Sequence, residues 1–274
     1  MFSYERALSM LQQKLQSSHN QYDVLFKDEA GNWLIKQSLA NAIIQHGVLA
    51  FNMARLQFPH WTPNLQKTRW PVGVDLRSIQ LINADLRQSN LSCSQLNNSC
   101  LISAKLRQCN LHNAILQYVD GRGVDLRSAN LCGCFIQHSK MDGALLKFAN
   151  LYSVDFSNTN LRRADLSGAY IKRNGLQWTA QYGVTLSSDE DCQVAISIPP
   201  IIFRNSNLEG ANLSFLDLSG ADMRHCNLRY ACMQSVKLFH TDLRGARLRG
   251  ANFNGATLDD VIIDKGVNLF NRKQ

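Results

Sequence analysis

Charge is sparse in this chain of 274 residues: Asp, Glu, Lys and Arg make up 18 %, below the usual quarter. Much of the polar surface must therefore come from Asn, Gln and Ser. Five prolines and 16 glycines are too few for a collagen-like or disordered chain. Long apolar runs are missing. The most apolar stretch is interrupted by Lys36, Gln37, Asn41, Gln45, His46 and Asn52, so no membrane span is expected. Residues 1–20 carry Glu5 and Arg6 and no apolar run, so no secretory signal peptide is expected either. Eight cysteines are too few for a disulfide scaffold and fit a reducing compartment. Also lacking are a phosphate-binding glycine loop, a dinucleotide glycine motif, a zinc-binding His pair and a nucleophile elbow. The expectation is that there is no catalytic residue, no cofactor site and no metal site.

What is present is a period. An apolar residue returns at every fifth position from Leu76 through Leu126 and Leu151 to Leu176, broken only at Gly121. A second run in a different phase goes from Phe203 through Leu228 to Ile263 without a break. Neither a helix nor a strand has a period of five. Two residues before most of the large apolar residues stands a small one, as in Ala84-Asp85-Leu86 and Ala211-Asn212-Leu213, and the residue between is often Asp or Asn. Asn90, Asn110, Asn130 and Asn150 recur at intervals of 20, as do Arg87, Arg107, Arg127 and Lys147. The same outward residue types thus return every four repeats.

The pattern A-(D/N)-L-x-x resembles the pentapeptide-repeat family over about 72–176 and 203–263. The resemblance implies that family's mainly β fold, a right-handed quadrilateral β-helix solenoid. Its large and small apolar residues point inward and its other three residues point out. Coils stacked at strand spacing, about 4.8 Å, give about eight coils and a rod of roughly 40 Å. Asparagines in register are expected to form ladders along it. Gly121 leaves a core position empty, and a local dent or a widened turn is expected there. Ile115, Phe135, Leu145 and Tyr170 put apolar groups at outward positions, which reads as surface scatter; the alternative is that Phe135, Leu145 and Phe148, close in sequence, form one exposed patch that marks a contact site.

Five segments follow. Residues 1–71 form an N-terminal α-helical segment. Tyr4, Ala7, Leu8, Leu11 and Leu15 share one helical face. A second helix is expected from an Asn32 N-cap to about Phe58, stopped by Pro59. This segment reads as a cap over the open solenoid end or as a separate binding domain. The stretch from Pro59 to Pro71 reads as a connector. The two repeat runs, 72–176 and 203–263, flank an insertion at 177–202 that reads as a loop or β-hairpin. It carries Asp189, Glu190 and Asp191 and no Lys or Arg. A short tail, 264–274, has Val267, Leu269 and Phe270 to cover the last coil.

The reactive side chains fit the repeat. Cys109, Cys134 and Cys226 take small inward positions and read as buried thiols replacing Ala. Cys132 faces away from Cys134, so the two do not form a metal pair. The Asp residues before each Leu read as acceptors of local backbone or Arg hydrogen bonds at the coil corners.

The net charge is +8, divided as +3 over 1–71, +5 over 72–176, −3 over 177–202, +1 over 203–263 and +2 over 264–274. Two basic groups stand out: the column Arg87, Arg107, Arg127, Lys147, and the cluster Arg224, Arg229, Arg244, Arg247, Arg249. Stacked like charges are unfavourable unless neutralised. These groups and the acidic insertion residues are the candidate interaction sites. The reading is a non-enzymatic protein–protein interaction scaffold whose partner carries an acidic surface. The resemblance adds two variants: a bacterial effector, made in the cytoplasm and exported into a host cell without a signal peptide, and a protein that binds type II topoisomerase (gyrase). The topoisomerase role rests on mimicry of DNA by an acidic face, whereas this rod is basic. The basic faces also suit nucleic acid or phospholipid head groups.

Overall fold

The computed structural model describes residues 25–170 and 201–265. The expected helix carrying Tyr4 to Leu15, the insertion hairpin with its acidic residues, and the tail residues Val267, Leu269 and Phe270 lie outside the described residues.

The unit of the fold is a turn closed every five residues. The N–H of Ile79 donates to the carbonyl of Leu76 (3.2 Å), that of Ala84 to Leu81 (3.0 Å) and that of Cys109 to Leu106 (3.1 Å). The third residue of each turn is left-handed, as at Ser78 (φ 63), Asn83 (φ 58) and Gly123 (φ 65). This is the geometry of a type II turn, and it explains the concentration of Gly, Asn and Ser there.

Coils bind one another through the residue before each core residue. Asp85 pairs in parallel with Lys105, Asn90 with Asn110, Gln95 with Ile115 and Cys100 with Asp120, each 20 residues apart. These four columns define four faces of a β-helix. Face A carries Asp75, Gln95, Ile115 and Phe135; face B carries Gln80, Cys100, Asp120 and Lys140. Face C carries Asp85, Lys105, Asp125 and Leu145; face D carries Asn90, Asn110, Asn130 and Asn150. The turns form the corners between faces.

The interior holds the large and small positions of the repeat, including Leu86, Leu106, Leu126, Ala84 and Ala104, all buried. Where Ser, Thr or Cys replaces the small residue, its side chain mostly donates to a main-chain carbonyl of the preceding coil. Ser139 Oγ reaches the Leu116 carbonyl (2.9 Å), Thr159 Oγ1 that of Ile136 (2.7 Å) and Thr241 Oγ1 that of Leu218 (2.7 Å). A buried polar group is tolerated because it is paired.

The expected dent at Gly121 does not form. Its N–H donates to Lys140 O (2.7 Å), so the ladder continues. A Cβ at Gly121 would lie 2.6 Å from Met141 Sδ, so the methionine one coil later fills the space. A flexible thioether suits such a gap. Nor do the outward apolar residues gather into one patch; they are scattered. Phe135 stands on face A and Leu145 on face C, opposite sides of the coil, with Phe148 at the corner between C and D.

Two irregularities shift the phase without breaking the stack. The first lies at the start. Asn64 pairs with Asp85 and Arg69 with Asn90, and Leu65 and Trp70 are buried, so the presumed connector already forms coil. Trp70 to Leu76 spans six residues instead of five. The second is the insertion. Asp155 pairs with Ile202, Asn160 with Asn207 and Asp165 with Asn212. Phe156 stacks on Phe203 across this seam, with ring centroids 5.4 Å apart and an interplanar angle of 2°.

One helix, α1 (Lys36–Gln57), packs on the first coil; it is interrupted at Gly47 (φ 84, ψ 160). Asn32 is not its N-cap. The Asn32 N–H instead donates to Asp28 Oδ1 (2.8 Å) in a tight turn between the bridged residues Lys27 and Trp33, and the helix begins after Ile35. Side chains of α1 bond to main-chain groups of the first coils. Gln37 Nε2 donates to Arg69 O and Arg69 N–H donates back to Gln37 Oε1 (3.0 and 2.8 Å). Asn52 does the same with Ser78 O and Gln80 N–H (2.9 and 2.8 Å). No helix among the described residues is long and apolar enough to cross a membrane.

Candidate functional site

The outer surface is made by the residue before each core residue and by the two turn residues after it. When the first is Asp, its Oδ1 accepts the N–H two residues on, as from Arg87, Arg127 and Arg244 (3.2, 3.2 and 3.1 Å). When residue two on is Arg, its guanidinium binds the same carboxylate. Asp75–Arg77 (2.6 Å), Asp85–Arg87 (2.7 Å), Asp120–Arg122 (2.8 Å), Asp125–Arg127 (2.6 Å), Asp222–Arg224 (2.8 Å) and Asp242–Arg244 (2.6 Å) all do so. The Arg122 and Arg244 hydrogen bonds hold the carboxyls of Asp120 and Asp242 below the ordinary carboxylate range. D-x-R is thus a locally neutral unit, and these acids act as corner fastenings.

That unit reshapes the first basic column. Arg87, Arg107, Arg127 and Lys147 do stack at the corner between faces C and D. Arg87 and Arg127 are each neutralised on their own coil. Arg107 has no ion pair among the described residues, and the Lys147 ammonium lies 5.0 Å from the Phe148 ring centroid. The excess charge therefore comes from Arg107 and Lys147, with Lys105 beside them on face C.

The second cluster gathers on one side of the rod. Arg224 and Arg244 lie at the corner between A and B, Arg247 on face B, and Arg229 and Arg249 at the corner between B and C. At the first corner Asp222 is shared by Arg204 (2.5 Å) and Arg224 (2.8 Å), and Arg224 also approaches Asp242 (3.6 Å). This chain of alternating charge runs over three coils. Arg229, Arg247 and Arg249 have no ion pair among the described residues. Two residues of this side were not among the candidates: Arg163 and Tyr230. Arg163 is placed there only when the insertion is spliced out of the count. Asp189, Glu190 and Asp191 lie outside the described residues.

Down the middle of face D runs the asparagine ladder. Asn110 Nδ2 donates to Asn90 Oδ1 (3.1 Å), Asn130 to Asn110 (3.0 Å) and Asn150 to Asn130 (3.0 Å). Asn130 is fully buried. The inward thiols serve the scaffold. Cys109, Cys134 and Cys226 donate to the carbonyls of Leu86, Leu111 and Phe203 (2.7, 2.9 and 2.8 Å). Burial pushes Cys109 and Cys226 up to about 12, so their thiolates are scarce. Cys134 is buried and pushed up for the same reason, while Cys132 stands outward. Among the described residues no group of three His, Cys, Asp or Glu is placed to hold a metal ion.

Beside α1 an open cleft of ≈ 610 Å³ is lined by Trp33, Ile35, Phe58, His60, Trp61 and Thr62. Trp33 and Trp61 stack at 4.2 Å, and the Lys27 ammonium lies over Trp33 (4.7 Å) and Phe58 (5.2 Å).

A family model described as pentapeptide repeats matches residues 72–108, 104–141, 133–168, 201–238 and 231–264. Among solved structures, the chain is similar to HetL from the cyanobacterium Nostoc sp. strain PCC 7120, a pentapeptide repeat protein involved in heterocyst differentiation regulation. Identity is 25 % and the TM-score 0.39, covering 78 % of this chain and 97 % of that one. QnrB1, a plasmid-mediated fluoroquinolone resistance protein, is 16 % identical with a TM-score of 0.43, covering 72 % and 87 %. Rfr23 from the cyanobacterium Cyanothece 51142 is 17 % identical with a TM-score of 0.14, covering 79 % and 99 %. No curated protein matches the chain.

Proposed function

The chain belongs to the pentapeptide-repeat family, and from that premise we propose that it is a non-enzymatic protein-interaction scaffold. One observation carries the reading. The pairing of residues 20 apart presents the outward residues of each coil at a fixed spacing on a filled, hydrogen-bonded rod. Such a surface is preorganised, so a partner that matches its columns binds without the cost of ordering loops. The partner surface is acidic where it meets Arg107 and Lys147, whose charges stay uncompensated on a column otherwise neutralised by its own acids. Function is a property of these outward residues and not of the fold that holds them.

Binding to type II topoisomerase as a mimic of DNA asks for an acidic face. The D-x-R corners cancel their own charge, which speaks against that route for the described rod. The test of the scaffold reading is capture from cell lysate by the full chain and by an Arg107→Glu, Lys147→Glu variant, each washed at low and moderate salt. A stoichiometric protein held by the first and lost by the second supports the reading and its surface. Capture by both moves the contact elsewhere on the rod. Turnover of a substrate by the purified chain would sink the non-enzymatic reading.

A further inference from the structure

The corner between faces B and C in the second run differs from the paired corners. Its outer column runs Arg163, Gly210, Tyr230, Gly250 on successive coils, 47 residues apart at the insertion and 20 apart after it. Each large side chain lies over the glycine of the next coil. Arg163 Cγ is 3.6 Å from where a Cβ on Gly210 would sit, and the Tyr230 ring comes within 2.5 Å of that point on Gly250. Both glycines have positive φ, 66 and 75, so a side chain there is disfavoured by backbone as well as by space. One edge of the Tyr230 ring therefore rests on backbone, and the residue keeps 56 % of its surface exposed. The Arg229 guanidinium carbon lies 5.7 Å from the ring centroid.

Around that ring the charge is one-sided. Arg163, Arg229, Arg247 and Arg249 form no ion pair among the described residues. Glu209, the acid of this corner in the same run, is taken by Arg162 (3.3 Å) and by Asn227 Nδ2 (3.3 Å). Arg229 Nε is buried and has no partner. Uncompensated guanidinium groups a few coils apart repel one another, and a ligand with negative charge repeated along its length relieves that repulsion. An acidic peptide meets the charge and leaves the ring unused. A duplex keeps its bases stacked away from the ring. A single strand uses both, phosphates on the arginines and a base on the aromatic face.

The geometry points to a single-stranded nucleic acid site at this corner, with Tyr230 as the stacking platform and Arg163, Arg229, Arg247 and Arg249 as the phosphate contacts. It is independent of the scaffold reading, which concerns the corner between C and D.

The test is fluorescence anisotropy of a labelled oligothymidylate of about 20 nucleotides with the full chain at 50 and 200 mM NaCl, settings chosen for the salt range in which phosphate contacts are read. Four contacts give a log–log salt slope of about −3, hence a loss of roughly 50-fold over that range. Arg247→Gln with Arg249→Gln removes about 1.4 from the slope. Tyr230→Ala weakens binding by about 5- to 150-fold and leaves the slope unchanged, because stacking releases no counterions. Tyr230→Phe binds as the parent does. Thermal melting by circular dichroism checks each fold. If the alanine variant melts early, Tyr230→Leu, which keeps an apolar body over Gly250 without the ring, takes its place. No binding at 50 mM NaCl overturns the assignment. So does a Tyr230 variant that folds and binds like the parent, and so does equal or tighter binding of the matching duplex or of poly-glutamate.

Discussion

The two repeat runs share one interior and carry two surfaces. In the first run the arginines at Asp75, Asp85, Asp120 and Asp125 are each bound to an acid two residues away on the same coil. In the second run Asp222 and Asp242 are shared between coils by Arg204, Arg224 and Arg244, and the next corner has no such acids to spare. Face D of the first run carries a buried asparagine ladder; face B of the second carries a half-buried one, with Asn227 Nδ2 on Asn207 Oδ1 at 3.0 Å. A core that repeats every five residues thus leaves the outer three free to differ, and the runs use that freedom for different electrostatics.

The largest effect is expected at the seam where the runs meet. Phe203 is fully buried and stacked on Phe156. Phe203→Ala is expected to cost about 3–5 kcal/mol in chemical denaturation. An equal loss at an ordinary coil leucine would mean that the seam is no special point. Next comes the ladder. Asn130→Ala strips partners from Asn110, Asn150 and the Cys132 N–H at once and should cost about 2 kcal/mol. Asn227→Ala, in the wetter ladder, should cost about 1 kcal/mol or less. Equal costs would erase the distinction between the runs.

Asp242 gives a smaller, pH-dependent effect. The Arg244 hydrogen bond holds the folded Asp242 carboxyl below its usual value, so its contribution is complete above the unfolded pKa of about 3.9 and lost as pH falls through the folded value. The thermal midpoint should therefore drop between pH 5 and pH 3, and Asp242→Asn should shrink that drop by about 2 °C or less, the pair being partly exposed. An undiminished drop assigns the acid sensitivity to other carboxyls. Smallest is a pair of opposite sign. Ser206 Oγ donates to the Phe156 carbonyl (2.5 Å), whereas the buried Ser99 hydroxyl finds no partner. Ser206→Ala should lose up to about 1 kcal/mol and Ser99→Ala should gain a few tenths or more, both read by denaturant midpoints.

Much of this was legible as letters. The interval of 20 follows from spacing, and the inward Leu and Ala, the buried thiols and the aspartate fastenings follow from what the resemblance to the repeat family implies, because each is a property of one repeat or of identical repeats stacked. The misreadings share a cause. One extra residue between Trp70 and Leu76 shifted the phase and hid the coil formed by Leu65 and Trp70. Gly121 looked like a gap because its filler, Met141, stands 20 residues away. Phe135, Leu145 and Phe148 looked like neighbours because they are close in sequence, yet every five residues turn the chain onto another face. Asn32 looked like a helix cap, but the Asp28 carboxylate had claimed it for a turn.

What lies inside is written in the repeat. A large apolar residue every fifth position, mostly with a small one two before it, is the pattern whose family fold keeps both out of water, and each unit specifies it locally. Which outward groups meet depends on how the coils align. Contacts across the surface join residues 20 apart, or 47 apart at the insertion, and the sum of charge at a corner depends on that alignment. Arg87 is neutral in effect because Asp85 lies two residues away; Arg229 and Arg249 remain charged because the acid their corner brings from another coil, Glu209, is already taken by Arg162.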